Sequence, residues 1–286
     1  MATKRVTHTF RKGDILEVKE YHDGRYGARG LPREKKRKPT PEQMAVVNAM
    51  NKAETARHRL LEYFGKGDYF LTLTYRVEAR PPDMAKAKKD FTNLISKLRT
   101  RYKKEQIELR WIRNIEKGTK GAWHIHMVIT GCRDTIRWVE ECWPHGGIYA
   151  EQLEKSKYYE EDFSQLASYI TKNEKVGEKR EDGKRDKPRL SESSYSISRN
   201  MPLKPPKKKK LARWPKEIKQ KNGYYIAKSY EGINPATGFK YRRYTLIRLN
   251  RRTQNRTGRS STDRSIQKKN GLHQCNRRKR REKSQR

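Results

Sequence analysis

Two histidines one residue apart, His124 and His126, stand in the apolar stretch AWHIHMVIT of this 286-residue chain. Side chains of a strand alternate in direction, so both imidazoles face one way and Ile125 the other. Two imidazoles side by side supply half of a divalent-metal site. Glu116 closes the preceding strand-like segment, IELRWIRNIE, and the turn-forming KGTKG folds it back beside His124. A carboxylate there completes a three-ligand set that leaves coordination positions open for phosphate oxygens. Farther along, in SQLASYITK, Tyr169 and Lys172 are spaced i and i+3, which on a helix puts an ammonium beside a phenol. A tyrosine hydroxyl, whose ordinary pKa is about 10, attacks phosphorus only when a polarised phosphate and a nearby cation assist it. Each feature alone has a plainer explanation in packing or a solvated surface, and only their combination points to chemistry.

The elements that must position these residues are legible from pattern. Residues 1–40 mix short alternating stretches with Gly24, Gly27, Gly30 and a basic run from Lys35 to Lys38, which reads as an extended arm. Thr40-Pro41-Glu42-Gln43 offers an N-cap, a proline at the first helical position and a capping-box glutamine, so a helix runs over about 41–64. YFLTLTY is a first strand, with Thr72 and Thr74 on the face opposite Leu71 and Leu73. Apolar residues stepping by three and four from Met84 to Tyr102 predict an amphipathic helix. The segments 107–116 and 122–130 form a hairpin, followed by a helix around Thr135–Cys142, a short strand in GIYAEQL and a helix over about 163–172. The order β-α-β-β-α-β is the split βαβ, or ferredoxin-like and RRM-like, plan of an α+β fold: an antiparallel sheet with helices on one face and the other free for a ligand.

Charge divides the chain. Of 71 basic and 33 acidic residues, giving a net charge of +38, residues 69–175 carry a net +5 and residues 176–286 a net +26. A near-balanced folded centre with cationic flanks suits a polyanion-binding protein, since counterion release from phosphates drives affinity without sequence preference. The pattern divides into a basic arm (1–40), a folded domain (41–205), a basic linker and small hairpin (206–250), and a disordered basic tail (251–286) with 14 Lys or Arg. Lys207, Lys208, Lys209 and Lys210 in the linker, and Arg277, Arg278, Lys279, Arg280 and Arg281 in the tail, are expected to hold DNA phosphates. No apolar run reaches the roughly 20 residues of a membrane span, and the three cysteines form no CxxC pair, which fits a reducing, cytoplasmic setting.

Three ordered motifs, FLTLTY at 70–75, GAWHIHMVI at 121–129 with Glu116 ahead of it, and YITK at 169–172, resemble those of rolling-circle replication initiators of the HUH endonuclease superfamily. The likeness is to the replication-associated proteins of bacterial mobile elements and of filamentous and small single-stranded DNA phages. It covers roughly 41–205. The resemblance implies that Glu116, His124 and His126 bind Mg²⁺ or Mn²⁺, and that Tyr169 attacks a scissile phosphate of single-stranded origin DNA to form a 5′-phosphotyrosine. Lys172 would steady the phosphate or the departing oxygen, and Thr72 and Thr74 would contact DNA. A host polymerase would extend the freed 3′-hydroxyl, and without a GxxxxGK[ST] segment in this sequence a helicase would come from elsewhere. Two rivals remain: a single-tyrosine transposase or conjugative relaxase with the same chemistry, and a non-enzymatic RRM-like nucleic-acid-binding protein. The second expects exposed aromatics where HIHMVIT offers histidines.

Overall fold

The computed structural model describes residues 3–22, 40–172, 190–233 and 240–249. Its chain is mixed α and β, built on two antiparallel five-stranded sheets with four α-helices among the described residues. The loop after Lys172 and the tail with Arg277, Arg278, Lys279, Arg280 and Arg281 lie outside them.

The central sheet is made by β3 (Tyr69–Thr74), β4 (Trp111–Gly118), β5 (Trp123–Ile129), β6 (Ile148–Gln152) and β7 (Leu190–Ile197). They lie in the order β6-β3-β5-β4-β7. Period-two alternation sorts their side chains. Leu71, Leu73, Ile115, Ile125, Met127 and Ile129 pack on one face against Phe91, Leu94, Ile95 and Leu98 of α2 (Met84–Lys104) and Trp138 and Val139 of α3 (Thr135–Cys142). Each such burial contributes about 1.5–3 kcal/mol. α2 begins where expected, its N-cap Asp83 accepting from the Lys86 amide at 2.8 Å.

The opposite face was expected to be open, and it is half covered. α1 (Pro41–Tyr63) and α4 (Ser164–Ile170) pack Ala56, Leu60, Leu61, Leu166, Ala167 and Ile170 against Phe70, Ile112 and Val128. The alternation that sends Thr72 and His126 to this face also sends Phe70 and Val128 there, so the end of the sheet near Phe70 needs an apolar cover. The end carrying Thr74, His124 and Glu116 is left for a ligand.

The first 22 residues depart most from expectation. β1 (Thr3–Phe10) and β2 (Ile15–His22) form a hairpin inside a second sheet, ordered β8-β1-β2-β10-β9 with β8 (Lys207–Leu211), β9 (Tyr224–Ile233) and β10 (Lys240–Arg248). The supposed arm is therefore core-forming, with Phe10, Ile15 and Val18 buried, and the lysine run 207–210 is an edge strand rather than a linker. These strands pair with partners some 200 residues away, and no local pattern announces that.

Buried ion pairs join the second sheet to α1. Arg57 and His58 both engage Glu17, Lys19 engages Glu54, and Arg57 donates to the Asp162 carbonyl at 3.2 Å. Asp162 in turn accepts from the Ser164 amide at 3.2 Å, so α1 fixes where α4 starts. Burial pushes the His58 imidazole down to about 3 and that of His8, which stacks on it, down to about 4.

Candidate active site

The register of three strands assembles the site. Glu116 pairs with His124 and Asn114 with His126 across β4 and β5, while Thr74 pairs with His124 and Thr72 with His126 across β3 and β5. Paired residues of an antiparallel ladder share a face, so the six side chains form a patch two residues deep and three strands wide. The tight turn 118–121 sets that register: the Gly118 amide donates to the Ala122 carbonyl at 2.7 Å, and Gly121 takes a positive φ of 75° that suits glycine.

α4 brings Tyr169 over this patch. Its hydroxyl is 3.1 Å from His126 Nε2, and Thr72 Oγ1 is 3.0 Å from Nδ1 of the same ring. One tautomer satisfies both contacts: Nδ1–H donates to the threonine, and Nε2 accepts from the phenol. Lys172 lies just past the helix, which ends at Ile170 rather than 172. It stays within one turn of Tyr169, and its Nζ is 4.3 Å from the tyrosine ring centroid and 2.9 Å from Glu116 Oε2.

Electrostatics follow from burial and neighbours. Burial alone would raise the Glu116 carboxyl, but His126 and Lys172 outweigh it and hold the group below its ordinary value, so it is an anion. Burial, joined by the positive neighbours His126, Lys172 and Arg80, lowers the His124 imidazole. Tyr169 is pushed well up, first by burial, then by its hydrogen bond to Tyr158 and the Glu116 charge, so the phenol is protonated at rest.

Glu116, His126, Tyr169 and Lys172 are thus in mutual contact, with Oε2 of Glu116 3.6 Å from His126 Nε2. His124 stands slightly apart, its ring centroid 6.3 Å from that of His126. The Thr72 hydroxyl serves His126, and Thr74 Oγ1 donates to the Gly147 carbonyl and accepts from its amide, at 3.0 and 3.1 Å. Both hydroxyls expected on DNA are thereby engaged within the protein. Lys207, Lys208, Lys209 and Lys210 are exposed on the second sheet.

Three neighbours escaped the sequence reading. Asn114 is fully buried and donates to Glu116 Oε1 at 3.0 Å and to the Lys172 carbonyl at 3.2 Å, tying β4 to the end of α4. Tyr158 stacks on Tyr169 with centroids 4.0 Å apart, and Phe70 stacks on His126 at 6.1 Å. Asn114 and Phe70 lie two residues from Glu116 and Thr72 on the same strand faces, a spacing that could have flagged them.

Among the described residues, the one group of three metal-ligand side chains with donor atoms all within 4.8 Å is His8, Glu54 and His58. Those carboxylate and imidazole groups already pair with Lys19 and Glu17, beside the Arg57 cation, and belong to the joint described above.

Residues 68–174, a little over a third of the chain, match the family model of the replication-associated protein ORF2 group. The matched span begins just before β3 and ends just after Lys172, so it encloses the whole patch, and it supports a replication-initiator family. No curated protein and no solved structure matches the chain. No helix among the described residues is long and apolar enough to cross a membrane.

Proposed function

We propose that the chain is a rolling-circle replication initiator of the HUH kind, which nicks single-stranded origin DNA and later rejoins the displaced strand through a 5′-phosphotyrosine on Tyr169. The observation that carries this reading is the convergence on one phosphate-sized patch of a tyrosine hydroxyl, two imidazoles, a buried carboxylate and a lysine. The residues fit Mg²⁺ or Mn²⁺. The Lys172 ammonium on Glu116 stands in for a cation, and the proton that Thr72 holds on Nδ1 leaves Nε2 of His126 as a donor. Glu116, His124 and His126 would hold the ion, which when bound supplies Lewis-acid polarisation of the scissile phosphate.

Tyr169 Oη attacks phosphorus, the bond to the 3′ oxygen breaks, and the phenolic proton ends on that oxygen as a 3′-hydroxyl. The reverse attack by a 3′-hydroxyl restores the phenol and rejoins the strand. Because burial and Glu116 disfavour the phenolate, the cationic Lys172 over the ring is needed to make it accessible, and the same ammonium can follow the departing oxygen. Asn114 holds Glu116 and the backbone of Lys172 in one frame and so acts as a positioning residue. A host polymerase would extend the 3′ end, and a host helicase would open the duplex.

The reading is tested with a labelled pool of single-stranded oligonucleotides, incubated with Mn²⁺ or with a chelator. Nicking that requires the metal, and that His126→Ala abolishes in a protein with unchanged circular dichroism, is the expected result. Cleavage that persists in the chelator contradicts it.

A further inference from the structure

The second sheet buries one end of its α1-facing side and leaves the other end bare. Phe10, Ile15, His8 and Glu17 meet α1, and Lys228 on the same side pairs with Glu160 near α4. Beyond them, the register Lys4↔Tyr21, Tyr241↔Tyr21 and Arg243↔Tyr230 sets Tyr21, Tyr230 and Tyr241 on that side, across three adjacent strands roughly 5 Å apart. Tyr21 is 38% and Tyr230 54% exposed. Exposed aromatics so close together are an unusual expense for a sheet that also has a sequestered side.

Tyr241 has a backbone arrangement of its own. A Cβ on Gly232, its partner in β9, would come within 2.8 Å of the ring's Cζ and OH, so the ring lies across β9 in a space that only glycine provides. Its hydroxyl reaches that of Tyr230 at 3.3 Å, and the two rings are 5.8 Å apart. The neighbouring side chains are basic. The pairs Lys4↔Lys210 and Val6↔Lys208 bring Lys4, Lys208 and Lys210 to the same side, and Arg243 lies beside Tyr230. Glu17, the acidic strand residue on this side, is buried in the joint with α1.

We infer that this bare end is a second binding site, for single-stranded DNA, in which unstacked bases lie on Tyr21, Tyr230 and Tyr241 while Lys4, Lys208, Lys210 and Arg243 meet the phosphates. Aromatic faces reward bases only when these are free of a duplex stack, and the interleaved cations track a phosphate backbone. The site deepens the reading of the chain as an initiator, since a nicked strand must be held while it is displaced. Its chemistry stands apart from cleavage.

The test is equilibrium binding of a fluorescein-labelled oligothymidylate to the full chain without divalent metal, by anisotropy over a range of salt. Tyr230→Ala and Tyr241→Ala are each expected to weaken binding by about five- to a hundredfold, the range for losing one stacked base, with an unchanged salt slope. The matching Tyr→Phe variants should retain most of the affinity. Lys208→Ala with Lys210→Ala should lower the slope of log K against log salt by about 1.4. Iododeoxyuridine in the oligonucleotide should photocrosslink to Tyr230 or Tyr241, a readout on the unsubstituted protein that does not depend on any variant folding. Full affinity in both alanine variants, crosslinks confined to other residues, or equal preference for duplex or for single-stranded RNA of the same sequence would overturn the site. Adduct formation is not read here, so failure leaves the Tyr169 chemistry untouched, and failure of that chemistry leaves this result standing.

Discussion

Replacing Lys172 with methionine keeps the length and apolar stem of the side chain and removes its charge. In the native chain the ammonium is 2.9 Å from Glu116 Oε2, on a carboxylate whose side chain is 4% exposed. At an effective dielectric constant of about 20, two unit charges at that distance attract by roughly 6 kcal/mol gross. The lysine side chain is 23% exposed and must be desolvated to stay there, so the net loss on substitution is expected at about 1–3 kcal/mol. The sign with pH follows from the depressed Glu116 carboxyl: its contribution is present above the ordinary carboxylate pKa of about 4.3 and is lost as pH falls through the native value. The gap between native protein and variant should therefore be full at pH 7 and close below about pH 4. Without the competing ammonium, Glu116 and His126 should also take up a divalent cation more readily, so Mn²⁺ should raise the melting temperature of Lys172→Met more than that of the native chain. Melting curves at three pH values, with and without Mn²⁺, measure both effects. A variant as stable as the native chain at pH 7, or one that Mn²⁺ stabilises no better, would refute the view that Lys172 occupies a cation's place on Glu116.

Three further outcomes follow. Gly146→Ala would set a Cβ 2.2 Å from the Thr74 carbonyl oxygen and 2.9 Å from the Arg76 amide, both backbone atoms, so β3 and the loop before β6 must part. A loss of about 1–3 kcal/mol in urea unfolding is expected, and none at all would mean that the close approach is not kept in solution. His58 and His8 have folded pKa values pushed below the unfolded ~6.5, so the unfolded chain binds more protons and stability falls as pH drops through about 6.5 towards 3. For the 4%-exposed His58 this is about 2 kcal/mol at pH 5, and His58→Gln should show a flatter stability profile over that window. Removing residues 251–286, with 14 basic and 2 acidic side chains, should weaken DNA binding and flatten its salt dependence, and an unchanged slope would exclude the tail as an electrostatic anchor.

What could be read from the sequence was what is local. The period-two alternation in YFLTLTY and AWHIHMVIT fixed the faces of Thr72, Thr74, His124 and His126, and the KGTKG turn fixed Glu116 opposite His124. The amphipathic spacing of α2 and the capping residues of α1 likewise located those helices within a few residues. What could not be read was long-range pairing. The hairpin of β1 and β2 looks like a charged arm because its burial depends on strands about 200 residues later. That α1 and α4 close half of the ligand face depends on where Arg57 and Asp162 meet. Asn114 looked like any polar residue of a strand. Only the register that sets it opposite His126, with the end of α4 above it, turns it into a clamp on Glu116 and Lys172.

The central claim is that Tyr169 makes the covalent bond to DNA. The structure makes the question sharper, because Tyr158 stacks on Tyr169 at 4.0 Å and is itself a phenol within reach. The most direct measurement is peptide mapping by mass spectrometry of the adduct trapped from native protein, Mn²⁺ and single-stranded DNA, repeated with Tyr169→Phe and Tyr158→Phe. A 5′-nucleotide found on Tyr169, absent from Tyr169→Phe and retained in Tyr158→Phe, is the predicted result. A nucleotide on Tyr158, or an adduct that survives Tyr169→Phe, would contradict it.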